Sequence, residues 1–148
     1  MTLYLDTSSL VKLYAAESGS DSVRAHVDRA TIVATSMVAY PEARAALARR
    51  QRDRALAPAA FAAAKRTFEA DWSKYLAVHV TETLCKDAGQ LGERYALRGY
   101  DSVHVASFLE VARQAGAADI EFSSFDDRLN AAARRAARAL RRRRGSAT

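Results

Sequence analysis

The chain has one cysteine, Cys85, in 148 residues. An internal disulfide is therefore impossible and a cysteine-based zinc site is excluded, which fits a reducing, cytoplasmic setting. It has two prolines, Pro41 and Pro58, in an alanine-rich background that favours helix. Its longest apolar run, Ala55–Ala64, contains Pro58 and is too short to span a bilayer, so no membrane role is expected. The opening MTLYLD has no basic stretch and reaches Asp6 at once, unlike a signal peptide. Acid is missing from residues 134–148, which hold seven arginines: Arg134, Arg135, Arg138, Arg141, Arg142, Arg143 and Arg144. The formal net charge is +6, from 23 basic and 17 acidic residues; without those seven, sixteen basic residues face seventeen acids. The basicity is thus an appendage on a near-neutral body, suited to phosphate contact or to plain solvation.

What remains is ordinary globular material, 49% hydrophobic and 27% charged, long enough to bury one core. Residues 1–140 read as one domain and 141–148 as a basic, disorder-prone tail. Thr2–Asp6 is a short apolar run ending in an acid, read as a buried strand. Ser8 or Ser9 is expected to cap the next helix, and Ser20 or Asp21 to start another after Gly19. Residues 31–36 (TIVATS) read as a second strand, followed by a helix opening at Pro41. A long helix is expected over residues 59–76, with Phe61, Phe68, Trp72 and Tyr75 at helical spacing. A third strand follows over Ala77–Val80. Helices capped at Thr81 or Thr83 and opened by Asp101 lead to a fourth strand, Ile120–Ser123. Asp126 or Asp127 then heads a last helix. Strands alternating with helices predict an α/β fold, a short parallel sheet flanked by helices in three α/β/α layers.

In such a sheet ligands bind beyond the carboxyl ends of the strands. Asp6 ends the first strand, Glu42 lies just inside the helix after the second, Asp101 opens a helix, and Asp126 follows the fourth strand. Carboxylates converging at one edge repel one another unless a cation neutralises them. An all-oxygen set suits a hard ion, Mg²⁺ or Mn²⁺. Each acid also has a plainer reading, since Glu42, Asp101 and Asp126 fall in first turns of helices, where acids favour the dipole. Asp6 is harder to explain that way, with Ser8 and Ser9 beside it.

The segments Leu5-Asp6-Thr7-Ser8-Ser9-Leu10-Val11-Lys12-Leu13-Tyr14, Ser36 through Pro41-Glu42, Arg98-Gly99-Tyr100-Asp101-Ser102-Val103-His104-Val105-Ala106 and Phe122-Ser123-Ser124-Phe125-Asp126-Asp127-Arg128-Leu129 resemble the PIN-domain family. The likeness is closest to its VapC-type toxins, and the segments stand in that family's order across nearly the whole chain. The resemblance implies that Asp6, Glu42 and Asp101 are the central metal-binding acids. Asp126 takes the fourth place, with Ser124 where a threonine is usual; Asp127 and Asp119 compete for that place. It implies a Mg²⁺- or Mn²⁺-dependent endoribonuclease acting on RNA, commonly tRNA or rRNA, as the toxin of a toxin–antitoxin pair. A cognate antitoxin and a homodimer are implied partners.

Thr7 and Ser8 are expected to orient Asp6 or a metal-bound water, and Arg98 to contact phosphate. His104, one helical turn after Asp101, reads more readily as structural than catalytic. Phe61, Phe68, Trp72 and Tyr75 read as core or protein interface rather than base-stacking platforms, and Cys85 as a small buried apolar residue. A dehalogenase-type phosphohydrolase also begins strand–Asp but wants a second acid where Ser8 stands. Two other readings stay open: a non-catalytic PIN-like module binding RNA or protein, and a PIN nuclease in RNA processing.

Overall fold

The computed structural model describes residues 1–145. The elements are β1 (Thr2–Leu5), α1 (Thr7–Val11), α2 (Ser20–Arg29), β2 (Ile32–Ser36), α3 (Ala39–Arg52), α4 (Pro58–Trp72), β3 (Leu76–Val78), α5 (Glu82–Tyr95), α6 (Gly99–Ala115), β4 (Ile120–Ser123) and α7 (Asp127–Gly145). All strand pairings are parallel, in the order β3-β2-β1-β4.

β1 is central, and both of its faces are covered, so TLYL is buried throughout rather than alternating. Tyr4 points to one face, where Val105, Phe108 and Ala112 of α6 meet Leu129 and Ala133 of α7. Leu3 and Leu5 point to the other, against Leu10, Val23, Leu47 and Phe68 of α1 to α4. Fully burying a side chain of that size contributes about 1.5–3 kcal/mol. The expected three-layer α/β/α domain is therefore present. The chain leaves β1 toward one face and leaves β4 toward the other. Their carboxyl ends thus flank the crevice where open α/β sheets take ligands.

Local chemistry moves several boundaries. α4 ends at Trp72, short of the expected residue 76, and Tyr75 lies beyond its end. Tyr75 still packs edge-on against Trp72 and meets the Tyr14 hydroxyl, so the aromatic cluster outlasts the helix. β3 starts at Leu76, one residue earlier than expected, and stops at Val78. Pro41 falls inside the first turn of α3, whose start is Ala39. Asp6, and not Ser8 or Ser9, caps α1. Gly19, at φ +90°, sits before α2 in the left-handed region that suits glycine. Cys85 is exposed rather than buried, because the inward face of α5 is taken by Leu84 and Ala88. α7 continues past residue 140 to Gly145; residues 146–148 of the expected tail lie outside the described residues. Among the described residues, no helix is long and apolar enough to cross a membrane.

Candidate active site

Asp6 follows β1 directly, in extended conformation, with 5% of its surface exposed. Its Oδ1 accepts from Ser9 N at 3.0 Å and Ser8 Oγ at 2.7 Å, and its Oδ2 accepts from Ser124 Oγ at 2.6 Å. All three donors are neutral. Burial pushes the Asp6 carboxyl above the usual carboxylate range, against the pull of these hydrogen bonds and of His104. Asp6 N also donates to Ser123 O at 3.1 Å, tying the end of β1 to the end of β4. The hydroxyl expected beside Asp6 comes from Ser8 on one side and from Ser124, across the sheet, on the other. Ser124 Oγ further accepts from Asp126 N at 3.0 Å, so one serine links Asp6 to the start of α7.

Glu42 reaches the same end of the sheet from α3. Its Oε1 accepts from Thr7 Oγ1 at 2.6 Å and lies 2.8 Å from His104 Nε2 on α6. Burial pushes the Glu42 carboxyl up, but the hydrogen bonds from His104 and Thr7 outweigh it and hold it below its ordinary value. An ionised carboxylate only accepts, so Nε2 carries the hydrogen toward Glu42, and Nδ1 of the same ring lies 3.0 Å from the Tyr4 hydroxyl. Burial, reinforced by the Asp6 and Glu42 charges, pushes the Tyr4 phenol well above its usual range, so that hydroxyl stays protonated. Thr7 thus serves Glu42 rather than Asp6. His104 is structural in the sense expected, yet it orients one of the site acids. Nothing in the sequence pattern links Tyr4 to the site beyond its being a polar-tipped aromatic in a buried strand.

Asp101 lies in the first turn of α6 and takes a hydrogen bond from Arg98 Nε at 3.3 Å. Arg98 therefore contacts a site acid, with 87% of its side chain exposed. Asp126 precedes α7, and its Oδ1 accepts from Arg128 N at 2.9 Å and Leu129 N at 3.2 Å. Asp101, Asp126, Arg98, Arg128 and Arg135 line one cleft of about 610 Å³. Asp127 is exposed in the first turn of α7. Asp119 lies at the far end of β4, 3.6 Å from the N-terminal ammonium.

The four acids thus form three groupings: Asp6 with its serines, Glu42 with Thr7 and His104, and Asp101 with Asp126 on the cleft wall. Among the described residues, no three Asp, Glu, His or Cys side chains stand close enough together to hold one ion as they are. The donor chemistry nevertheless fits a hard divalent cation: every acid offers oxygen, and Asp6 buries a carboxylate among neutral donors only.

The PIN domain family model matches residues 3–135. Over 109 residues the chain is 41% identical to ribonuclease VapC45 of Mycobacterium tuberculosis (strain CDC 1551 / Oshkosh), covering 74% of this chain and 76% of that protein. The same figures hold for ribonuclease VapC49 of the H37Rv strain. Among solved structures, the crystal structure of M. tuberculosis VapC20, a sarcin–ricin loop cleaving toxin, superposes with a TM-score of 0.64 over 88% of this chain and 94% of that one. At 24% identity that likeness bears on the fold alone. The chain belongs to the PIN-domain family, and its similarity within that family is to the VapC ribonucleases.

Proposed function

We infer that the chain is a divalent-metal-dependent endoribonuclease and the toxin of a toxin–antitoxin pair. The observation that carries this reading is Asp6: a buried carboxylate at the carboxyl end of the central strand, held by three neutral donors, in a chain 41% identical to two ribonucleases. Asp6, Glu42, Asp101 and Asp126 would hold Mg²⁺ or Mn²⁺. A bound ion there polarises a phosphodiester and lowers the pKa of a water. Ser8 and Ser124 fix the Asp6 carboxylate, and Thr7 and His104 keep Glu42 ionised at neutral pH. Glu42 and Asp101 must turn out of their present hydrogen bonds to reach a shared ion, since the carboxylates stand apart as they are. Arg98, Arg128 and Arg135 present guanidinium groups to an RNA backbone entering the cleft. The partners in this reading are a tRNA or rRNA, a cognate antitoxin protein and a second copy of the chain, in the cytoplasm.

The test is digestion of total RNA by antitoxin-free protein in Mg²⁺ or Mn²⁺, beside an EDTA control and Asp6→Asn. Discrete fragments lost in both controls support the reading. Intact RNA with folded protein returns weight to the non-catalytic binding module. Cleavage surviving Asp6→Asn removes the site.

A further inference from the structure

The seven arginines of residues 134–148 fall on α7, and of these Arg135 lines the cleft that holds Asp101 and Asp126. A second, smaller cleft of about 180 Å³ lies farther along the same helix, against α5 and the C-terminal half of α6. Tyr95 lines both. The Arg135 guanidinium lies 5.3 Å from the centre of the Tyr95 ring, which lays that side chain along the junction of the two clefts. The second cleft carries Arg94 from α5 and Arg143 from α7, both exposed, with Arg113 paired to Glu110 and Asp87. Arg128, Arg135 and Arg143 follow helical spacing on one face of α7, with Ala132 and Ala139 between them. At 1.5 Å per residue, Arg128 to Arg143 spans roughly 22 Å.

We propose that this trough is a phosphate-backbone exosite: it holds the RNA strand that flanks the scissile bond, extending contact from the cleft at Asp101 and Asp126 to Arg94 and Arg143. The proposal rests on the ribonuclease reading for its ligand. Two features favour RNA over an acidic protein. The trough is continuous with the cleft of the candidate site. None of the exposed large apolar residues (Ile32, Leu76, Val80, Tyr100 and Phe125) lines either cleft, so what an incoming ligand meets there is mainly guanidinium charge. Guanidinium groups spaced along a groove are what a nucleic-acid backbone requires.

The experiment is fluorescence anisotropy with a labelled RNA hairpin in EDTA, so that binding is read without cleavage. Wild type is compared over a salt series with Arg94→Gln/Arg143→Gln and Arg94→Lys/Arg143→Lys. Glutamine keeps helix propensity, and thermal melts check the fold. If the Gln pair melts early, the single Arg94→Gln variant carries the test with half the expected slope change. The Gln pair should weaken binding about tenfold or more and flatten the slope of log Kd against log salt by roughly 1.4–1.8, two phosphate contacts' worth. The Lys pair should keep most of both. Unchanged Kd and slope overturn the proposal, as does an equal loss in the Lys pair, which would point to packing rather than charge. Binding of polyglutamate in preference to RNA overturns it in favour of an acidic protein. RNA bound through the trough but never cleaved in Mg²⁺ would leave the exosite standing and remove the nuclease reading instead.

Discussion

His104 Nε2 lies 2.8 Å from Glu42 Oε1, and Nδ1 of the same ring is hydrogen-bonded to the Tyr4 hydroxyl at 3.0 Å. A buried imidazole therefore joins the central strand to the acid on α3. The bond from His104 is what most opposes the burial that pushes the Glu42 carboxyl up.

Removing that bond should change the pH dependence of cleavage. In His104→Ala the burial of Glu42 persists while its main stabilising donor is gone, so its carboxyl titrates higher. The acid limb of the pH–rate profile is then expected to move to higher pH, with activity at alkaline pH retained. Folding stability should drop as well, by about 1–3 kcal/mol, because the Tyr4 hydroxyl loses its partner in the core. A profile whose acid limb stays in place would show that Glu42 ionisation does not set it.

Asp6→Asn should stabilise the metal-free protein at neutral pH. A carboxyl raised in the folded state binds more protons folded than unfolded. Its contribution to stability is thus fully present below the unfolded value and lost as pH rises through the folded one. Asparagine escapes that loss and still caps α1. The expected outcome is a higher Tm for the variant than for wild type in EDTA at neutral pH. Melts in EDTA should show the difference shrinking as pH falls. Adding Mg²⁺ should raise the Tm of wild type and leave the variant unmoved; equal shifts in both would place the ion elsewhere.

Ser124 joins Asp6 to the start of α7, donating to Asp6 Oδ2 and accepting from Asp126 N. Ser124→Thr keeps the hydroxyl and should retain cleavage. Ser124→Ala removes both links, and Mg²⁺ affinity should fall about 10- to 100-fold, the usual effect of losing a residue that holds a metal ligand. Titrating activity against Mg²⁺ in the three proteins distinguishes them, and an Ala variant with wild-type metal dependence would contradict this role.

Gly19 acts at a distance from the acids. Its φ is +90°, and a Cβ there would overlap the Phe125 ring, which also receives Lys12 Nζ at 4.3 Å. Phe125 lies between Ser124 and Asp126. Gly19→Ala should therefore cost about 1 kcal/mol or more through backbone strain and displace the segment that carries both residues. Reduced Tm together with weakened Mg²⁺ dependence is expected. A loss of Tm with normal metal dependence would confine the effect to the turn.

The alternation of short apolar runs with amphipathic stretches was enough to read the parallel sheet and its two helical layers, because that pattern is written locally and repeats along the chain. Asp6 was legible for the same reason: an acid that ends a buried strand conflicts with its neighbours' polarity. The family segments likewise carry their order and spacing in the chain itself. Other features depend on residues far apart. Tyr4 and His104 meet across a separation of 100 positions, and Ser124 reaches Asp6 across 118; no periodicity encodes such a pairing. The partner of Thr7 proved to be Glu42, since the strand order brings α3 and α6 over the end of β1. Caps followed side-chain competition at each turn, so Asp6 displaced the serines beside it. The placement of Arg128, Arg135 and Arg143 of α7 along two joined clefts arises from how α5, α6 and α7 pack, and packing is settled only when the whole core is buried at once.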